Sequence, residues 1–244
     1  MTHNLPDNFI NNIHRVFGDA GQTWLGELPD IVSRCADRWQ LTLLAPIPNL
    51  SLNYMAYALT SGGEEAVLKI GVLPHEVKAE ITALQLYSGK GIVRCLDADP
   101  ALGAFVLERL HPGQLLTALG NNVEETRAAA GIMKTLPIPC PTGHGLPTFA
   151  GWLEKAFARL RRTYGPDCEP LGRRLVEHAE AAFRAIEADK QADMLLHGDL
   201  HHFNILYDDR RGWVAIDPQG AIGDADLEVG RFVHNFIPYD LTSA

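Results

Sequence analysis

The run Met194-Leu195-Leu196-His197-Gly198-Asp199-Leu200-His201-His202-Phe203-Asn204-Ile205-Leu206, with Val214-Ala215-Ile216-Asp217-Pro218 after it, concentrates the groups best suited to chemistry. Asp199 and Asn204 stand five apart, and Asp217 follows thirteen residues later at the end of an apolar strand. Transfer of a phosphoryl group asks little covalent work of a protein. It needs a carboxylate to hold the attacking hydroxyl and take its proton, and oxygen ligands to place a divalent cation on the phosphates. Asp199 suits the first task. Asn204 and Asp217 make a hard oxygen pair that suits Mg²⁺, with water and phosphate in the remaining positions. Taken alone, either Asp reads as a strand-end carboxylate capping a turn. The spacing and the apolar strands on both sides favour the chemical reading.

The segment His197 to Leu206 with Ile216-Asp217-Pro218 resembles the catalytic segment of the aminoglycoside phosphotransferase family, a branch of the protein-kinase-like fold. The spacing of Asp199 and Asn204 is that of base and metal ligand in a kinase catalytic loop. The surrounding text, Leu195 to His201 and Asp217-Pro218-Gln219-Gly220 through Gly223-Asp224 to Asp226-Leu227-Glu228, most resembles the streptomycin kinase and hydroxyurea phosphotransferase subfamily. The resemblance implies an antibiotic-resistance kinase that moves the γ-phosphoryl of ATP to a hydroxyl of a streptomycin-like aminoglycoside or of hydroxyurea. By it, Asp199 is the catalytic base, and Asn204 and Asp217 hold Mg²⁺.

Upstream, Ala66-Val67-Leu68-Lys69-Ile70 is a strand with one Lys in an apolar context. Kinase folds set such a Lys against the nucleotide phosphates and pair it with a Glu of the following helix. Glu80, eleven residues on, is the best partner, and Glu76, one helical turn earlier, is the alternative. A lone strand Lys otherwise reads as a snorkelling surface residue. Phe105 to Leu110 resembles the strand leading into a kinase hinge, where adenine would bond to the backbone at Glu108 and Leu110. Two features depart from that pattern. The loop expected over the phosphates, Leu50 to Tyr57, contains no glycine; antibiotic kinases often use a Ser- or Asn-bearing loop here, so the resemblance implies Ser51 and Asn53 as its phosphate contacts. Only 27 residues (244 − 217) follow Asp217, so the acidic acceptor-binding region of the family is expected to be short, and Asp240 to Ala244 reads as frayed. Asp224, Asp226 and Glu228 read as capping and packing groups at a helix N-terminus.

The elements that must position these groups follow from periodicity. The first forty residues read as helical, with Leu28, Ile31, Val32 and Cys35 on one face. Gln40 to Leu50, Leu52 to Thr60 and Glu64 to Val72 read as strands, with a hairpin at Ser61-Gly62-Gly63. Pro74 opens a helix carrying Val77, Ile81 and Leu84 on one side, and Ile92 to Asp97 and Ala104 to Glu108 return to strand. After His111-Pro112-Gly113 the pattern turns helical to about residue 190, in three pieces broken at residues 137–141 and 164–166. Asn204 to Tyr207 and Trp213 to Ile216 are short strands around a turn, and a last helix begins near Asp226. A sheet half followed by a helix half predicts an α+β fold with two lobes, and the resemblance implies that it is of the protein-kinase-like kind. Its nucleotide-binding lobe spans residues 1–110, with leading helices over 1–39, and its helical catalytic lobe spans 111–244. Nucleotide would bind between the two.

Bulk properties narrow the class. The net charge of −9, spread along the chain, argues against nucleic acid and anionic membranes as partners and tolerates a cationic small-molecule substrate. No run approaches the roughly 18 apolar residues of a membrane span. The N-terminus has neither the basic start nor the apolar stretch of a secretory signal, so the expected location is the cytoplasm, as a monomer or weak homodimer. Cys35, Cys95, Cys140 and Cys168 are too dispersed for a zinc knuckle or a disulfide framework. Two rival readings stand beside the kinase. In one, His197, Asp199, His201 and His202 bind zinc in a hydrolase, drawing further ligands from His144, His178 or His234. In the other, the chain is a non-catalytic kinase-like protein, a reading that the glycine-free loop favours.

Overall fold

The computed structural model describes residues 5–140, 142–169, 171–190 and 192–234. The expected fraying at Asp240 to Ala244 lies outside them. The chain divides into two compact units, Met1–Gln114 with Leu206–Ile216, and Leu115–Ile205 with Asp217–Ala244.

The first unit is a five-stranded antiparallel sheet covered by helices. Its strands β1 (Thr42–Pro46), β2 (Asn53–Leu59), β3 (Glu65–Gly71), β4 (Cys95–Asp99) and β5 (Ala104–Glu108) lie in the order β1-β2-β3-β5-β4. The leading helix α1 (Asp7–Trp39) breaks at Gly18, whose φ is 54°. The chain reverses there: a Cβ added to Gly21 would lie 2.7 Å from the Ile13 carbonyl oxygen, although eight residues of continuous helix span about 12 Å. Phe9, Ile13, Trp24, Leu28 and Cys35 of α1 form one core with Ala66, Leu68 and Ile70 of β3 and Ala104 and Val106 of neighbouring β5.

Side chains alternate along a strand. With Ala66, Leu68 and Ile70 in that core, Val67 and Lys69 belong to the opposite face of β3. The helix α2 (Pro74–Tyr87) starts on Pro74 at its first turn, where the missing N–H costs nothing, and buries Val77, Glu80, Ile81, Leu84 and Tyr87. The strand expected over Ile92 to Asp97 begins later because Val93 N–H donates to the Ala215 carbonyl at 2.9 Å instead of joining β5.

A small second sheet joins β6 (Pro112–Leu115), β9 (Ile205–Asp208) and β10 (Gly212–Ala215) in the order β10-β9-β6. Sequence pattern suggested helix directly after Gly113, and the structure places β6 there first. The second unit holds three helices, α3 (Asn122–Thr135), α4 (Phe149–Tyr164) and α5 (Arg173–Asp189), separated where the Pro- and Gly-bearing breaks were expected. It also contains a sheet of very short strands, β7 (Ile138–Pro139), β8 (Met194–Leu196) and β11 (Ala221–Gly223), and the helix α6 (Leu227–His234). Strands of two or three residues are too short for alternation to be read from sequence. The molecule is α+β, as expected. Among the described residues no helix is long and apolar enough to cross a membrane.

Candidate active site

In the first unit the central feature is an ion pair. Lys69 is 2% exposed, and its Nζ lies 2.7 Å from Glu80 Oε1 and 5.6 Å from the Phe105 ring centroid. Of the two candidate carboxylates it is Glu80 that meets the lysine. A surface, snorkelling Lys is therefore not what the strand carries. An ammonium taken out of water needs a partner of this kind, because an unpaired buried charge is costly.

Glu108 turns its carboxylate toward arginines: Oε2 accepts from Arg94 Nε at 2.9 Å and Oε1 from Arg211. Its N–H donates to the Arg94 carbonyl at 3.0 Å, so that donor is already engaged. Leu110 is buried. Beside these residues a groove of about 700 Å³ is lined by charge pairs such as Arg109 with Glu65. Ser51 is exposed. Asn53 opens β2 opposite Gly71, and a Cβ on Gly71 would lie 3.0 Å from Asn53 Oδ1 and 2.4 Å from Val77 Cγ2. That glycine lets β2, β3 and α2 approach closely.

In the second unit β8 delivers the chain into the Asp199 loop. Gly198 has φ 79°, and a Cβ there would meet the Trp152 ring at 3.0 Å, so both conformation and space require glycine. His197 is fully buried, and its Nδ1 accepts from Asp199 N–H at 3.2 Å. His201 Nδ1 accepts from Phe203 N–H at 3.2 Å and caps the 3-10 turn over His202–Asn204. Asn204 Nδ2 donates to the Asp199 carbonyl at 3.0 Å and points toward Asp199 Oδ2 at 3.4 Å. The amide is thereby oriented with Oδ1 as its available oxygen. Asp217 sits at φ 62° directly before Pro218, in the left-handed region that Asp adopts more readily than most non-glycine residues.

The loop is braced from α6. Glu228 is 2% exposed; its Oε1 accepts from Gly198 N–H at 3.1 Å, and its Oε2 is buried with no hydrogen-bond partner among the described residues. Burial pushes this carboxyl up to about 7; amide bonds from Gly198 and His197 oppose the rise, and the nearby Asp199 adds to it. Glu228 sits in the first turn of α6, as expected, and its carboxylate also reaches back to the loop. Arg231 Nε donates to Asp199 Oδ1. The His202 ring stacks on Phe232 with centroids 4.0 Å apart and planes 21° apart, and its Nε2 lies 3.9 Å from Glu125 Oε2. Burial lowers the pKa of both His201 and His202, so both are neutral near pH 7.

Arg231, Phe232 and Glu125 were missed at the level of sequence. The signal for Arg231 and Phe232 was their helical spacing from Glu228; Glu125, on α3, had none of that kind. Among the described residues no group of three or more His, Cys, Asp or Glu could hold a metal ion. Two of the loop's histidines already use a ring nitrogen as acceptor for a backbone N–H. Among the described residues the zinc-hydrolase reading therefore finds no ligand set. By donor type, an Asn amide oxygen and an Asp carboxylate suit a hard divalent cation, which keeps several waters and takes other ligands from phosphates.

An antiparallel sheet with a buried Lys–Glu pair, followed by a mainly helical unit bearing an Asp–Asn loop, defines a chain of the protein-kinase-like fold. Solved structures agree on that fold. The amicoumacin kinase hAmiN, in complex with AMP-PNP, Ca²⁺ and Ami, superposes with a TM-score of 0.58 at 16% identity, covering 87% of this chain and 71% of that one. Aminoglycoside 2'-phosphotransferase-IIIa in its GDP complex gives 0.54 at 20% identity over 81% and 74%. The chain belongs to the aminoglycoside/hydroxyurea antibiotic resistance kinase family, whose model matches residues 38–243. It is 32% identical to the streptomycin 6-kinase of Streptomyces glaucescens, over 92% of this chain and 73% of that protein. It is also 32% identical to the hydroxyurea phosphotransferase of Kitasatospora aureofaciens, over 92% and 66%.

Proposed function

We propose that this chain transfers the γ-phosphoryl of ATP to a hydroxyl of a streptomycin-like aminoglycoside or of hydroxyurea, with Mg²⁺ as the divalent cation. The observation that carries the reading is the Asp199 loop: a carboxylate and an amide five residues apart, tied together by Asn204 Nδ2 and the Asp199 carbonyl. Asp199 orients the acceptor hydroxyl and takes its proton while the oxygen bonds to Pγ. The bond from Pγ to the bridging oxygen breaks, and ADP leaves. Asn204 Oδ1 and the Asp217 carboxylate are the groups assigned to Mg²⁺, which when bound offsets charge on the phosphates. Lys69, held by Glu80, is assigned to the nucleotide phosphates, with the Glu108 carbonyl and the backbone of Leu110 to adenine and Ser51 and Asn53 to the phosphate loop. In this reading residues 1–110 form the nucleotide-binding lobe and 111–244 the helical catalytic lobe, in a cytoplasmic enzyme that acts as a monomer or weak homodimer.

Family membership and the two relatives above support the acceptor class, since one is named for streptomycin and the other for hydroxyurea. The test is a screen of phosphate transfer from labelled ATP onto streptomycin, other aminoglycosides and hydroxyurea. Transfer to one of them is expected. Tight ATP binding with no transfer to any would favour the non-catalytic reading, for which the glycine-free loop from Leu50 to Tyr57 speaks.

A further inference from the structure

Glu228, Arg231 and Phe232 occupy positions i, i+3 and i+4 of α6 and so share one helix face. Each reaches a different residue of the Asp199 loop: Gly198 through its N–H, Asp199 through Oδ1, and His202 through its ring. Two of the three act on the backbone path and the packing of the loop. Only Arg231 touches the carboxylate assigned to proton transfer.

We infer that Arg231 is a positioning residue for phosphoryl transfer: it holds Asp199 Oδ1 and so leaves Oδ2 to take the hydroxyl proton. The inference rests on the function proposed above. Rotation of an Asp carboxylate about its terminal bond is broad and roughly two-fold, so a base of this type needs an outside contact to fix its plane. The other contacts are too long to do so. Asn204 Nδ2 lies 3.4 Å and His201 Nε2 3.6 Å from Asp199 Oδ2, beyond the usual range of a strong bond to a carboxylate. The Arg231 contact is direct and charge-assisted. It is also poorly placed to serve stability, because the arginine side chain is 46% exposed and exposed ion pairs contribute little. Its removal therefore acts on the orientation of Asp199 rather than on folding.

The test is a series at position 231, Arg231→Ala, Arg231→Gln and Arg231→Lys, assayed on whichever acceptor the wild type uses. In Arg231→Ala, kcat is expected to fall roughly 10- to 100-fold, the usual cost of a misplaced reacting group. The KM for ATP should stay within about threefold, since the nucleotide groups are untouched. Free guanidinium at non-denaturing concentration should restore part of the Arg231→Ala rate and leave the wild type unchanged, a response that a merely structural role does not give. Arg231→Lys, which keeps the charge but loses the planar fork, should fall between wild type and Arg231→Gln. Hydrogen exchange of the 197–204 amides, which needs no acceptor, should quicken in Arg231→Ala at unchanged melting temperature. Wild-type kcat in Arg231→Ala, or a raised kcat/KM, overturns the inference while leaving the kinase intact. If the wild type phosphorylates nothing, the functional reading fails, and unaltered exchange in Arg231→Ala then defeats the positioning role as well.

Discussion

In the proposed reaction, Asp199 is the residue on which the chemistry turns. Its Oδ1 is taken by Arg231, its carbonyl by Asn204, and its N–H by His197. Asp199→Ala is expected to lower kcat by roughly 10²–10⁴-fold, the usual weight of a positioned base, with the melting temperature little changed. Full activity in that variant would remove the mechanism. Glu228 offers a test of a different kind. Its carboxyl is raised from 4.5 to about 7, so between those values the folded state holds a proton that the unfolded state has lost. Stability from this group is complete below about pH 4.5 and declines as pH rises toward 7. Glu228→Gln keeps an acceptor for Gly198 N–H and removes the titration. Urea unfolding at about pH 5 and pH 8 should therefore show the variant gaining on the wild type at the higher pH, by up to about 3 kcal/mol. A constant difference between the two pH values would place the carboxyl at its ordinary pKa.

At the scale of elements, Gly198 carries the sharpest expectation. A side chain there is strained by φ 79° and presses on Trp152 of α4. Gly198→Ala is expected to destabilise by roughly 1–3 kcal/mol and to reduce kcat, because the same backbone unit sets Asp199. Chemical denaturation and steady-state rates measure the two effects separately. The longer elements were legible beforehand: the Leu28–Cys35 face of α1, the three strands around Ser61-Gly62-Gly63, and α2 from Pro74 all follow from period and turn chemistry. The short ones were not. β7, β8 and β11 exist because neighbouring segments offer hydrogen-bond partners, and β4 starts at Cys95 because the segment before it is engaged with Ala215.

For the whole molecule the expectation concerns linkage between nucleotide and stability. A ligand that binds only the folded chain stabilises it, by about 2.7 kcal/mol at a hundredfold excess over Kd. For a chain of 244 residues that corresponds to a rise of several degrees in Tm. ATP with Mg²⁺ should produce this rise in the wild type and in Asp199→Ala, and Lys69→Met should lose it. An unmoved Tm in the wild type at millimolar nucleotide would withdraw the nucleotide site.

By themselves, residue order and spacing determined the α+β class, the Lys69 strand, the helix holding its carboxylate partner, and the loop uniting Asp199 with Asn204. Those features are local: alternation, helical period and a five-residue interval survive in a linear text. Tertiary structure alone decided that Glu80 rather than Glu76 meets Lys69, and that Leu206–Ile216 joins the first compact unit. It also turned Glu228, Arg231 and Phe232 back onto the loop that Asp199 occupies. Such contacts depend on where a helix lands after the chain has folded, and a guanidinium some thirty residues away leaves no periodic mark on the segment it will hold.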